Sequence, residues 1–484
     1  MRRTVIYGAG LIAENIDYNE LRKVFDVYAF FDRDVQKLGK QISGYTIYSD
    51  KDLIKYVLEN NIECVLVAIG NIQMQNEIIA EISEKIKKHA NVYVTGYQEA
   101  VFYNSLEWDE LNELLSSQNI DDCLFDAGFF WSSYSYFYYS NSKLVEIFHQ
   151  RGSRCIMVFP EKDSLEWSFA GVDNLRRIIR IINDLKKKDI ICIFKSNHIL
   201  EKCEIKLCFG LGYDHHYIPF GMDFGPDRKN VLIQVTPIRT HLYHSGMSKK
   251  ETKNSSYNEQ VLRSIDYYIG SEYFCDWICK NNELWQKKVL RFGYPRLDNL
   301  YESINEDVEL PDNWKERCKG KTVFLSTVID PRPLFKFFTV ENPERVMIWR
   351  PHPLTLKREN YIDEIMKYEE EYSVIIDMLP NYYASCSISD ALISNLEVSL
   401  NLNYLFYNKP ILCILRGTED GDYEEQAWYK AMYKATGMQE IGDFIKMIGD
   451  GKDYQKEEMQ VYRDYMTTGF DGKVCERIYD FFQN

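Results

Sequence analysis

Arginine and histidine stand one proline apart in Arg350-Pro351-His352-Pro353. That places a permanent, planar cation beside a group that changes charge near neutral pH. The prolines on either side of His352 restrict the backbone there, and a guanidinium fork matches phosphate oxygens. The preceding run, Arg345-Val346-Met347-Ile348-Trp349, is apolar and of strand length. Arg350 and His352 should therefore emerge at a strand's C-terminal end, where open α/β sheets bind their ligands. Further on, Ser389-Asp390-Ala391-Leu392-Ile393-Ser394 reads as another strand and its exit. Ser394, Asn395, Glu397 and Ser399 then lead into a segment predicted helical as far as Tyr407, and Lys409-Pro410-Ile411-Leu412 opens the next strand. Free amides at the start of such a helix would hold phosphate oxygens. Both signals point to a phosphate-bearing ligand.

A second set of residues lies at the start of the chain. Thr4-Val5-Ile6-Tyr7 reads as a strand, Gly8-Ala9-Gly10-Leu11-Ile12-Ala13 as a turn opening a helix, and Val27-Tyr28-Ala29-Phe30-Phe31 as a strand ending at Asp32. Gly8, Gly10, Ala13 and Asp32 then match a dinucleotide fingerprint, with glycines for the turn and for close approach to a pyrophosphate. The Rossmann-like fold follows from this context, with a dinucleotide as the ligand its fingerprint suggests. Phe31-Asp32-Arg33-Asp34 and the stretch to Tyr48 resemble the small nucleotide-binding domains of bacterial sugar-modifying enzymes, which implies either a nucleotide-linked sugar or a scaffold without ligand. Other features are weaker. His215-His216 would point to opposite faces of a strand. The aromatic run Tyr134 to Tyr139 suits an interface, and Tyr139 with Lys143 forms a Tyr-x-x-x-Lys pair.

These residues need elements to hold them. At 484 residues the chain has room for roughly three domains. The hydrophobic share, 45%, supports large cores. A net charge of −15 argues against a nucleic-acid partner, which requires a basic surface. The twelve cysteines form no CxxC pair and several sit in apolar runs, as reduced thiols would, and no metal site is expected. Met1-Arg2-Arg3 runs directly into a strand and no apolar stretch reaches membrane-spanning length. A cytoplasmic protein is expected, with room for contact at the inner face of the membrane and for a homo-oligomer. The pattern predicts domains over 1–125, 126–305 and 306–484, with an acidic helical linker near 100–125 and terminal helices from Lys456 that pack back.

Phe292-Gly293-Tyr294-Pro295-Arg296-Leu297-Asp298-Asn299-Leu300 resembles the Gly-x-Pro-Arg-x-Asp-x-Leu signature of CDP-glycerol glycerophosphotransferases, the teichoic-acid polymerase and primase family. Arg350-Pro351-His352-Pro353 is similar to their Arg-Pro-His-Pro element, and Ser389 to Leu412 to their strand–helix–strand. Tyr243-His244-Ser245-Gly246 with Lys249-Lys250 stands where they carry a histidine element. The chain departs from the family at Ser394-Asn395-Leu396-Glu397-Val398-Ser399, where Asn395 replaces an aspartate and a serine pair is broken.

The resemblance implies α/β architecture in which the N-terminal Rossmann-like domain precedes a GT-B pair of Rossmann-like domains. It implies transfer of glycerol phosphate, or a related polyol phosphate, from a CDP-linked donor to a hydroxyl of a glycan or lipid-linked acceptor, with no further cofactor. His244 would be the base, with His241 as the alternative. His352 and Arg350 would face the donor's phosphates, helped by Ser394, Asn395, Glu397 and Ser399. Gly293 and Arg296 would shape and charge the hinge, although Arg296 and Asp298 also read as a structural ion pair. Alternatives are a nucleotide-sugar glycosyltransferase, an NAD-dependent oxidoreductase or epimerase built on the first domain, and a non-catalytic nucleotide-binding protein.

Overall fold

The structure is a computed structural model. It describes the chain apart from residues 15, 17, 70–71, 117–119, 121–122, 132–134, 163, 165–166, 168–171, 212–226, 234–264, 282–285, 287, 306–307, 340, 352–364, 370, 380, 396–399, 416–426 and 484. The chain divides by packing into two compact units. The first comprises Met1–Ile120, Ser132–Ser135 and Phe159–Asn197, and the second Asp121–Trp131, Tyr136–Val158 and His198–Asn484.

The first unit is built on β1 (Arg2–Tyr7), β2 (Phe25–Asp32), β3 (Gln41–Ile42), β4 (Tyr45–Ser49), β5 (Cys64–Val67) and β6 (Tyr93–Gly96), in the order β3-β4-β2-β1-β5-β6. All pairs are parallel except the hairpin β3–β4. Both faces of this sheet are covered, which is why Cys64-Val65-Leu66-Val67 is apolar without alternation. The segment predicted as an acidic helical linker is helical where described, and through Ile120 it belongs to the first unit. Tyr97–Tyr103 and Leu106–Ser116 are helices, and Trp108, Leu111 and Leu115 are buried. Their spacing puts them on one helical face, and Trp108 packs edge-on against Trp167 at 5.8 Å.

The second unit carries two sheets. One is formed by β7 (Leu124–Phe130), β8 (Cys155–Phe159), β10 (Glu204–Leu211), β11 (Lys229–Ile233), β12 (Tyr267–Ile269) and β13 (Val289–Leu290), side by side as β13-β12-β11-β10-β7-β8. The strand between them in sequence, β9 (Ile191–Phe194), falls in the first unit. The other sheet is β14 (Thr322–Ser326), β15 (Arg345–Trp349), β16 (Val374–Ile376), β17 (Ala391–Asn395), β18 (Ile411–Ile414) and β19 (Tyr433–Ala435), ordered β16-β15-β14-β17-β18-β19. Every pair in this last sheet is parallel, and apolar clusters cover it on both faces. Two Rossmann-like sheets within one compact unit match the GT-B expectation.

The terminal helix Val474–Gln483 returns to the earlier part of the second unit. Tyr479 meets Phe148 at 4.9 Å, Phe482 meets Phe209 at 5.8 Å, and Phe481 meets Phe292 at 5.7 Å. Gly293 makes the approach possible. Its φ is +88°, and a side-chain carbon there would lie 2.9 Å from Val474 Cγ2.

All twelve cysteines are free and ten are buried. Burial pushes the thiols of Cys64, Cys155 and Cys192 up to about 12. Since only the thiolate reacts readily, iodoacetamide at pH 8 should leave Cys192 unlabelled in the native protein and label it after denaturation. Peptide mass spectrometry reads this directly, and labelling of native Cys192 within minutes would contradict its burial.

Candidate functional site

The C-terminal edge of the last sheet brings several side chains together. Arg350 follows β15, and its backbone amide donates to Ser326 O at 2.8 Å. Its guanidinium donates to Asp377 Oδ2 at 2.8 Å, Asn381 O at 2.9 Å and Leu379 O at 3.0 Å. Three of its five N–H donors are thus engaged by the turn after β16. Asp377 is buried and also accepts from Leu379 N at 2.9 Å. Arg350 therefore anchors this turn, a duty that its motif does not reveal.

The same turn receives a second guanidinium. Arg296 donates through Nη2 to Tyr382 Oη at 2.9 Å and lies over the Tyr382 ring at 5.7 Å. Burial raises the Tyr382 phenol above its usual value, while Arg296 and, more weakly, Arg350 pull it down. Tyr294 beside it is fully buried, and its hydroxyl has no hydrogen-bond partner. Two arginines thus meet a turn that supplies one carboxylate, Asp377. Among these three side chains the formal charges leave one positive charge in excess.

The Arg296–Asp298 ion pair is not formed. Asp298 is buried, and its two oxygens accept from Val474 N and Cys475 N, each at 2.8 Å. A carboxylate at a helix N-terminus satisfies two otherwise orphaned amides and complements the helix dipole. Asp298 is thus the cap of the terminal helix, and Arg296 is left to Tyr382.

Beside Arg350, β14 and β17 are tied at their exits. Thr327 Oγ1 donates to Ser394 Oγ at 2.8 Å, Ser394 Oγ to Asn395 O at 3.1 Å, and Ile329 N to Asn395 Oδ1 at 3.1 Å. Ser394 is buried and Asn395 half-buried, so both fix the loop after β14. Beyond them an α-helix covers Leu400–Tyr404 and continues as a 3-10 turn over Leu405–Tyr407, the predicted limit. Lys409 donates to the carbonyls of Cys386, Ser387 and Ser389 at 3.0, 2.7 and 2.6 Å, capping the helix Tyr383–Ile388. Burial lowers its pKa.

His352, His241, His244, Glu397 and Ser399 lie outside the described residues, as do His215-His216. Sequence reading missed Asp377, which ends the apolar Val374-Ile375-Ile376 much as Arg350 ends β15 and could have been found by that position. Nothing local signalled Tyr382.

In the first unit the fingerprint residues meet at the ends of β1 and β2. Gly8 has φ +99° and donates to Phe31 O at 2.8 Å; a side-chain carbon there would lie 2.8 Å from Ala68 O. Ala13 is fully buried. The described part of the helix after Gly10 is Leu11–Glu14. Asp32 Oδ2 accepts from Ala9 N at 2.7 Å and lies 3.3 Å from Lys37 Nζ, while Oδ1 accepts from Asp34 N at 2.8 Å. Burial alone would raise the Asp32 carboxyl, but the Asp34 and Ala9 amides and Lys37 hold it below its usual value. Lys143, of the Tyr-x-x-x-Lys pair, forms an ion pair with Glu302 in the second unit.

Comparison with known proteins places this geometry in a family. No curated protein matches the chain. Among solved structures, the wall teichoic acid polymerase TagF is 14% identical over 86% of this chain and 98% of its own, with a TM-score of 0.47. A putative UDP-N-acetylglucosamine 2-epimerase from Listeria monocytogenes is 10% identical over 75% of this chain and 96% of its own, TM-score 0.48. UDP-D-quinovosamine 4-dehydrogenase from Vibrio fischeri is 29% identical over 21% of this chain and 83% of its own, TM-score 0.18. The family model described as CDP-glycerol:poly(glycerophosphate) glycerophosphotransferase matches residues 219–484, more than half the chain and all of the sheet that carries Arg350. The chain belongs to that family of transferases.

Proposed function

We propose that this protein transfers glycerol phosphate from CDP-glycerol to a hydroxyl of a cell-surface glycan or polymer, working at the inner face of the membrane. The acceptor oxygen attacks the phosphorus that bears glycerol, a new P–O bond forms, and the bond to CMP breaks. His244 takes the hydroxyl proton, and His352 faces the oxygen that departs on CMP. The observation that carries this reading is the pair of guanidiniums, Arg350 and Arg296, on the turn from Asp377 to Tyr382. Phosphoryl transfer depends chiefly on positioning and on neutralising charge, and these residues supply both. With three donors engaged, Arg350 contributes field and fixes the end of β15, while Arg296 is the better placed to reach a phosphate oxygen.

No helix among the described residues is long and apolar enough to cross a membrane. Contact with the membrane would then be made at the surface, where a lipid-linked acceptor presents its head.

Nucleotide release from CDP-glycerol, CDP-ribitol and UDP-N-acetylglucosamine, each with a lipid-linked glycan acceptor, tests the proposal. CMP should appear with a CDP-polyol and UDP should not appear with the sugar donor. The reverse pattern would establish sugar transfer instead. Arg296→Met should raise KM for the CDP donor by ~10- to 100-fold, the worth of a hydrogen bond to a charged group. Arg296→Lys should recover part of that loss. An unchanged KM in Arg296→Met would remove Arg296 from the donor site.

A further inference from the structure

The family match begins at residue 219, so it leaves the first sheet unexplained. At the C-terminal edge of that sheet lies a cavity of about 680 Å3, lined in part by Tyr7, Ile12, Ile69 and Ile78. That volume and mainly apolar wall are typical of small-molecule sites. Charged groups fall into two clusters on the lining. In one, Lys37 Nζ lies 3.3 Å from Asp32 and 3.9 Å from where a Gly10 side-chain carbon would stand. In the other, Arg33 pairs with Glu81 at 2.6 Å, near Glu77.

This arrangement disfavours a dinucleotide. The Ala9 amide, which would otherwise face a pyrophosphate, already donates to Asp32. Three carboxylates, Asp32, Glu77 and Glu81, face two cations, Arg33 and Lys37, an adverse balance for two linked phosphates. One phosphate is a different matter. The Lys37 side chain is 33% exposed and can turn from Asp32 toward a ligand beside Gly10. Carboxylates on the other cluster can accept from hydroxyls.

We infer that this cavity binds a phosphomonoester carried on a hydroxyl-bearing ring, either a nucleoside monophosphate or a sugar phosphate. Its phosphate lies against Gly10 and Lys37, its ring over Ile12, Ile69 and Ile78, and its hydroxyls reach Glu77 and Glu81. The site is separate from the transferase residues in sequence and in chemistry.

Isothermal titration of the full chain tests this, with UMP and glucose 1-phosphate as probes and with inorganic phosphate and NAD as controls. At least one probe should bind more tightly than both controls, and which one does identifies the ring. Lys37→Ala should weaken that probe at least ~10-fold, as loss of a charge-assisted hydrogen bond does, and Lys37→Arg should restore most of it. Met74 lines the cavity and is 52% exposed, so Met74→Trp narrows the mouth with little risk to folding and should also weaken binding. Tighter binding of NAD, binding of neither probe, or equal binding to wild type, Lys37→Ala and Met74→Trp would each overturn the inference. Turnover of CDP-glycerol by the wild type is read separately, so this site and the transferase reading fail independently.

Discussion

His352→Ala should release CMP from CDP-glycerol at least ~100-fold more slowly than the wild type, the scale set by losing a positioned acid–base group. Arg350 stands two residues earlier in the chain. Its amide is fixed to Ser326, and its guanidinium to Asp377, Leu379 and Asn381. The chain therefore leaves β15 from a rigid anchor, and Pro351 and Pro353 restrict the conformations that follow. On the proposed function, His352, which follows that edge in sequence, would protonate the oxygen that departs on CMP. The loss should fall on kcat, because the donor's phosphates would still meet Arg296. Full activity in His352→Ala would end the site assignment. A rise in KM alone would make His352 a binding residue.

Asp298→Ala should destabilise the second unit by about 3 kcal/mol, since it leaves two buried amides without an acceptor. Both oxygens of Asp298 are in use, on Val474 N and Cys475 N. The damage should concentrate at the terminal helix. Hydrogen exchange of Val474–Gln483 should quicken before that of the central strands, and the urea midpoint should fall. Asp298→Asn keeps an acceptor and should lose less. If Asp298→Ala left both the midpoint and the exchange of that helix unchanged, the capping role would be refuted.

Much of the architecture was legible because parallel strands buried on two faces write themselves as short apolar runs. Val346 to Trp349 and Ala391 to Ile393 are such runs, and the positions that end them lie at the ligand edge. The partners of those end residues were not legible. Arg296 and Asp298 stand two residues apart with opposite charge, so local logic pairs them, yet the acceptor work of Asp298 lies 176 positions away. Nothing local to Ser394 and Asn395 shows that the hydroxyl of Thr327 and the amide of Ile329 bond to them. The acidic segment near 100–125 has linker composition, and only the spacing of Trp108, Leu111 and Leu115 betrays its buried face. Contacts between distant segments decide these cases, and sequence spacing carries no record of them.

The closing helix also bears on how the protein is made. Phe148 and Phe209 are translated long before Tyr479 and Phe482, the rings that finally cover them. While ribosomes are still reading the intervening message, that apolar floor stays open to water and to other nascent chains. Contacts separated this widely in sequence form late, and uncovered surface of this kind invites aggregation. The second unit should therefore depend on chaperones during synthesis, and a stop codon placed before Val474 should yield insoluble protein even though every strand of both its sheets is present.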